Sequence, residues 1–364
     1  MKIIISLSQN NRLYAQCEPQ GEEYQYVFQL FRGEQLISKL FATESNYAVF
    51  WLTESGKYHV KVSATNKVGN RVVAYSSPVL YEGFHISLNK NQPHESPFQS
   101  AKYVLKEILE NWQRMLRIAI YDYRIRDKDS YLGKIWSVLN PLIQVLTFWF
   151  VFGLGLRGGR PIDGYPYLLW MLCGLFPWFF INTGIISGSA SIYAKAGTVL
   201  RMQYPLATIP LGNILVAFFD HFILIGFVIV IEFCYGYIPQ LSWIGILYYC
   251  AYTIAFLTAL ALLTSTLTMV ARDFQKLISS LIRFLFYMTP ILWSLDSMPA
   301  FARTILEMNP AAYIINGYRD SLIYGINFWE HPQKIAFFWS IALALFLLGS
   351  WFHRKYRGNF IDFL

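Results

Sequence analysis

The chain has 364 residues, of which 55% are hydrophobic, 18% aromatic and only 14% charged, against about 25% charged in an ordinary soluble domain. Disorder is excluded, since it needs low hydrophobicity and high charge, and a single soluble enzyme core fits poorly. The formal net charge of +8 does not point to nucleic acid, because the bases sit beside apolar runs, where they mark the cytoplasmic side of a membrane.

Residues 1–97 hold nine Lys/Arg and eight Glu and no apolar run long enough to cross a bilayer. Ile3, Ile4 and Ile5 are followed by polar residues from Ser8 to Arg12, whereas a secretory signal needs about 7–15 consecutive apolar residues. This part is therefore expected to stay in the cytoplasm. From Ile3 to Tyr81 the pattern alternates with period two, and Gly21, Gly33, Gly56 and Gly69-Asn70 punctuate it. About seven short strands in such a length predict a two-sheet β-sandwich over 1–87. The stretch from Gly56 to Pro78 is similar to the last hairpin of a fibronectin-III or immunoglobulin-like domain. Such sandwiches serve many functions; a docking or spacer module and a glycan- or enzyme-binding module both fit. LNKNQPHESP (88–97) reads as a linker.

Residues 98–133 open with an amphipathic helix over 98–120. Ala101, Val104, Leu105, Ile108, Trp112, Met115, Leu116 and Ala119 recur at helical spacing, with Lys102, Lys106, Glu107, Glu110, Gln113, Arg114 and Arg117 opposite. That pattern suits a helix lying in the headgroup plane. An all-α polytopic membrane domain is then expected over 134–364. A span needs about 20 apolar residues, and the apolar windows predict six, at about 135–156, 164–188, 206–233, 243–270, 277–295 and 335–352. With the N-terminus inside, the inner membrane-flanking segments carry fifteen Lys/Arg, eight of them in 101–134; the outer ones carry five: Arg157, Arg160, Arg303, Arg319 and Lys334. The asymmetry puts both termini in the cytoplasm.

The last outer segment, 296–333, is semi-apolar and broken by Pro299 and Pro310. A pair of short re-entrant or interfacial helices fits, because non-spanning backbone at membrane depth survives only under protein or water. Cys17, Cys173, Cys234 and Cys250 lie far apart without metal-ligand spacing. There is no phosphate-cradling GxxxxGK[ST] loop: Gly56-Lys57 is followed by Tyr58, and Gly133-Lys134 by Ile135.

Three stretches carry a family resemblance: SYLGKIWSVLNPL (130–142), RDFQKLISSLIRFLFYMTPILW (272–293) and NPAAYIINGYRDSLIYG (309–325). Over 98–364 the chain resembles the permease subunits of ABC-2 type polysaccharide exporters, which serve capsule, O-antigen and teichoic acid. VFGLGLRGG, LLWMLCGLFPWFF and SIYAKAGTVLRMQYP look closest to the wall teichoic acid exporter permeases. The sandwich departs from that pattern. The resemblance implies a non-enzymatic half-transporter of the bacterial plasma membrane. Two copies would pair around a channel, and each would recruit an ABC nucleotide-binding subunit that holds the ATP and Mg; this chain would bind no cofactor itself. The cargo would be a polymer linked to polyprenyl pyrophosphate. A lipid or drug exporter, or a membrane-embedded transferase, is the alternative.

Candidate residues follow. Phe148, Trp149, Phe152, Trp178, Phe284, Phe286, Tyr287 and Trp293 are candidates for the channel wall, with Phe179 and Phe180 beside them. Sugar C–H faces stack on aromatic rings, and Tyr and Trp add hydrogen bonds at their edges. Arg124, Arg126 and Lys134, between the amphipathic helix and span one, suit the anionic head group; positive-inside topology also accounts for them. By the resemblance, Tyr193, Lys195, Arg201 and Tyr204 would couple to the ATPase. Arg319 and Asp320 could gate the exit. Asp220 and His221 fall near the middle of span three, where ionisable groups usually face the bundle interior, as a proton relay or a structural hydrogen bond.

Overall fold

The computed structural model describes residues 3–8, 12–18, 24–43, 46–52, 54–66, 71–81, 96–128, 130–195, 205–295, 298–357 and 360. The chain divides into two compact units, Met1–Lys90 and Asn91–Leu364. Most of the 88–97 linker lies outside the described residues.

Among the described residues the first unit is a two-sheet sandwich of eight strands: β1 (Ile3–Ser8), β2 (Arg12–Cys17), β3 (Tyr24–Arg32), β4 (Gln35–Thr43), β5 (Tyr47–Trp51), β6 (Gly56–Asn66), β7 (Arg71–Tyr75) and β8 (Val79–Tyr81). One sheet has the order β1-β2-β5; the other runs β4-β3-β6-β7, with β8 also on β6. The number of strands agrees with the expected seven or so, β8 being only three residues long. Alternation aims one face of each sheet inward. Leu13, Ala15 and Phe50 from the first sheet meet Phe28, Leu30, Val60 and Val62 from the second in one core. Gly33, at φ +58°, turns β3 into β4.

The second unit is helical: α1 (Pro97–Glu110), α2 (Trp112–Ile125), α3 (Trp136–Phe148) continued by a π-helical stretch (Trp149–Leu156), α4 (Tyr167–Ala194), α5 (Thr208–Cys234), α6 (Ile244–Val270), α7 (Asp273–Met288), α8 (Ala300–Glu307), α9 (Pro310–Arg319) and α10 (Pro332–Tyr356). Among the described residues, five helical segments are long and apolar enough to cross a membrane: Gly133–Leu156, Tyr167–Ala194, Thr208–Cys234, Leu241–Val270 and Pro332–Tyr356. They coincide with five of the six expected spans.

The remaining candidate, expected over 277–295, is helical only as the 16-residue α7. At 1.5 Å per residue it rises about 24 Å, short of the roughly 30 Å hydrocarbon core. Pro290 is the physical reason. A residue before proline is pushed out of the helical region, and Thr289 is extended at φ −95°, ψ 138°.

The single amphipathic helix expected over 98–120 is two helices that run on to Ile125. The break is Asn111, at φ −107°, ψ 11°. Its side chain donates to the Glu107 carbonyl at 2.9 Å, the competition with helical bonding that makes Asn a poor interior residue. Ser96 and Gln99 form a capping box at the start of α1, with Pro97 in the first turn. α1 packs on α10 and α2 on α5. Ala101, Val104, Ile108, Met115 and Ala119 are buried, while Phe98, Leu105, Leu109 and Trp112 stay exposed. The apolar stripe thus splits between protein and surroundings.

α4 and α6 form the centre of the bundle. Most of α4 is buried, made possible by close helix contact at small residues. A Cβ on Gly184 would sit 2.6 Å from Leu257, and one on Gly188 2.8 Å from Ala261. The segment expected outside contains two short helices, Ala300–Glu307 and Pro310–Arg319, as the prolines imply. α9 starts at the Asn309 cap, whose side chain accepts from the Ala311 N–H. A π turn over Asp320–Tyr324 closes on Gly325 at φ +69°.

Candidate conduit wall and inner polar groove

Among the helices left largely uncovered are α3 with its π extension and α7. Along Trp136–Leu156 only Val145 and Gly153 are buried, and α7 buries only Ile278 and Ile282. Pro141 removes one helical hydrogen bond from α3, and the helix then widens into π geometry, a form enriched at functional sites. Gly153 admits neighbouring rings: a Cβ there would meet Tyr167 at 2.9 Å and Trp149 at 3.0 Å.

The predicted channel aromatics fall into distinct places. Phe148 stacks on Phe286 with centroids 5.5 Å apart and contacts Phe152 at 6.2 Å. Phe286 also meets Tyr287 at 5.1 Å and Trp178 at 5.5 Å. Trp293 donates its indole N–H to the Tyr287 carbonyl at 3.3 Å. Phe284 and Tyr287 are 62% and 66% exposed. Trp178 is buried and backs Phe286, so it supports the face instead of presenting a ring to it. Trp149 stands apart, over Gly153. Phe180 turns the other way and stacks on His221 at 4.8 Å.

A polar groove lies between α2, α3, α4 and α5. At its centre Arg126 donates to Asp220 through both terminal nitrogens, at 2.8 and 3.0 Å, and to the Ser137 hydroxyl at 2.7 Å. Its Nε lies 3.4 Å from Asp127. The bonds to Asp220 push the guanidinium pKa up against the opposing effect of burial. Cavities of about 380 and 330 Å³ both reach Arg126. Asn213 and Ser187 line one, Asn140, Gln144 and Asn182 the other, and Thr183 both. Side-chain amides offer donors and acceptors together, which matches sugar hydroxyls better than a bare anion.

These contacts change the reading of the basic cluster. Arg126 is already neutralised by two carboxylates, so it is not a free phosphate clamp. Lys134 lies over the Tyr123 ring at 3.9 Å, and Arg124 is exposed. Asp220 is held by Arg126, and His221 is buried with Nε2 2.8 Å from the Tyr318 hydroxyl. Both therefore make structural polar contacts. Sequence reasoning missed the amides of the groove, because Asn and Gln in apolar runs carry no motif; their spacing, Asn140 to Gln144 on one helix, was the available signal.

At the end of α4, Lys195 pairs with Asp122 at 2.5 Å, and the Arg272 guanidinium lies 4.8 Å from the Tyr193 ring. Arg201 and Tyr204 lie outside the described residues. Arg319 does not stand free at an exit. It is buried, donates to the Pro290 and Ile291 carbonyls at 2.6 and 2.8 Å, and stacks over Trp170 at 3.4 Å. Burial pulls its pKa down to about 10, which leaves it charged at neutral pH. Those carbonyls belong to the non-helical backbone that follows α7, where a buried acceptor needs a donor, and Arg319 supplies it. Asp320 lines a separate cavity; burial pushes its carboxyl up to about 6, opposed by Lys334, His331 and Arg319.

A bundle of long apolar helices with a polar groove between them is a polytopic membrane protein. The profile of the ABC-2 type transporter family matches residues 118–323, and the chain belongs to that family. It is 32% identical over 237 residues to an O-antigen export system permease protein RfbA of Klebsiella pneumoniae, covering 65% of this chain and 90% of that one. A second RfbA from Klebsiella pneumoniae is 29% identical over 67% of this chain and 92% of its own length. The RfbA of Myxococcus xanthus is 23% identical over 63% and 85%. The family match begins at residue 118, so the β-sandwich lies outside it.

Proposed function

We propose that the chain is the permease of an ABC exporter that moves a lipid-linked polysaccharide outward across the bacterial plasma membrane. The observation that carries this reading is the largely uncovered pair of α3, with its π extension, and α7, where Phe148 stacks on Phe286 and α7 leaves Phe284 and Tyr287 exposed. A second copy would complete that pair into a conduit, and stacking on aromatic faces lets a glycan slide. The relatives' names point to an O-antigen-like polymer; teichoic acid stays the narrower alternative from the sequence resemblance. A separate nucleotide-binding subunit would supply ATP hydrolysis and engage the inner end of α4 around Tyr193 and Lys195.

In this reading both termini are cytoplasmic and α7 with residues 289–295 makes the sixth crossing. α8 and α9 form the outer re-entrant pair. The amide groove around Arg126 would take the first sugars, with Lys134 and Arg124 nearer the pyrophosphate. The sandwich, read as immunoglobulin- or fibronectin-III-like, is a cytoplasmic docking module.

The test is reconstitution. Vesicles holding this chain and its cognate ATPase should translocate radiolabelled lipid-linked polymer in an ATP-dependent way, and the purified chain alone should hydrolyse no ATP. Full ATPase activity without the second subunit overturns the reading.

A further inference from the structure

A cavity of about 330 Å³ opens between α6, α8, α9 and the start of α10, within the size range of small-ligand sites. Nothing in the transport reading uses it. Asp320 lines one part, His331 and Lys334 another. Lys334 and His331 act on the Asp320 carboxylate through their field, yet among the described residues neither forms an ion pair with it. The opposite charges face one another across a gap.

The floor is aromatic. Tyr313 stacks on Phe338 with centroids 4.0 Å apart and meets Tyr249 edge to face at 5.4 Å. Gly317 is what lets Tyr249 in, since a Cβ there would lie 2.1 Å from its ring. The rim is apolar. Met308 and Phe337 are exposed at the mouth, and α8 beside it exposes Phe301 and Ile305. An amphipathic helix with such a face lies at a membrane surface, and the spanning helix α10 begins at Pro332, so the cavity sits at headgroup depth.

We propose that this cavity binds the zwitterionic head group of a phospholipid bearing a primary ammonium and a phosphate, taken from the outer leaflet. Asp320 accepts hydrogen bonds from the ammonium, which rests against the tyrosine rings. Lys334 and His331 donate to the phosphate, and the acyl chains lie over Met308 and Phe337. A sugar has no use for facing charges of both signs, and a purely anionic head group would meet Asp320 unfavourably. The site rests on membrane insertion of the helical unit and is independent of which polymer is exported.

The experiment is a thermal-unfolding titration of the full chain in detergent, with phosphatidylethanolamine, phosphatidylglycerol or phosphatidylcholine added. Phosphatidylethanolamine should raise the midpoint most. Asp320→Asn and Lys334→Gln should each lose at least half of that rise, while Arg160→Ala, outside the cavity, keeps it. If Asp320→Asn does not fold, the exposed Lys334→Gln and His331→Ala decide. An equal rise with phosphatidylglycerol, or a rise that survives Lys334→Gln and His331→Ala, overturns the proposal. Equal stabilisation by water-soluble glycerophosphoethanolamine overturns the lipid as the source, and stabilisation by a soluble oligosaccharide in its place assigns the cavity to the polymer.

Discussion

The guanidinium of Arg126, just past α2, holds the carboxylate of Asp220, in the middle of α5, through two bonds of 2.8 and 3.0 Å. The residues are 94 apart in sequence, and their pairing fixes the polar groove between α2 and α5. Arg126→Ala and Asp220→Asn should each cost about 1–2 kcal/mol, the range for charged hydrogen bonds discounted for partial exposure. The double variant should cost little more than either alone. Arg126→Lys keeps the charge but loses the fork, so its export rate should fall nearer to Arg126→Ala than to wild type. Unfolding midpoints and vesicle transport measure both.

Two rings of α7 separate packing from conduction. Phe286 touches Phe148, Trp178 and Tyr287, so Phe286→Ala should destabilise by about 2–4 kcal/mol. Phe284 is mostly exposed, so Phe284→Ala should leave the unfolding midpoint within about 0.5 kcal/mol of wild type. It should nevertheless slow polymer export severalfold. Unchanged export would remove Phe284 from the conduit.

Arg319 gives a prediction of opposite kind. Its replacement by Met removes donors from the Pro290 and Ile291 carbonyls, and each buried group left unpaired costs about 1–3 kcal/mol. Arg319→Met should therefore lower folded yield and thermal midpoint together. A gate would instead give normal yield with altered transport.

Asp320 makes stability depend on pH. Its carboxyl is held up to about 6 from an ordinary value of 3.8 by burial. The folded chain therefore keeps a proton that the unfolded chain has released, and stability falls as pH rises from about 4 to about 6, then levels. Asp320→Asn should flatten that window in unfolding midpoints taken across pH 4–7.

The helical unit was legible because each long apolar window had no competing assignment. α4, α5, α6 and α10 fall where hydropathy puts them. The strands were legible through alternation, as in Tyr58, Val60 and Val62 of β6. Local chemistry was harder to weigh. The break at Asn111 turns on one side chain reaching the Glu107 carbonyl, and the early end of α7 on Pro290 alone. The groove was hidden because it is assembled from amides on three helices. Arg319 read as an exposed outer charge because the carbonyls that bury it lie 28 and 29 residues away.

The interruption at Asn111 divides a segment that is held at two places. One arm is bolted to the last helix by Glu107 and Arg357 at 2.6 Å; the other is clamped to α5 through Arg126 and Asp220. The interrupted helix pair is thus tethered at both ends, to α10 on one side of Asn111 and to α5 on the other, and loss of either ion pair would leave it moored at one end alone.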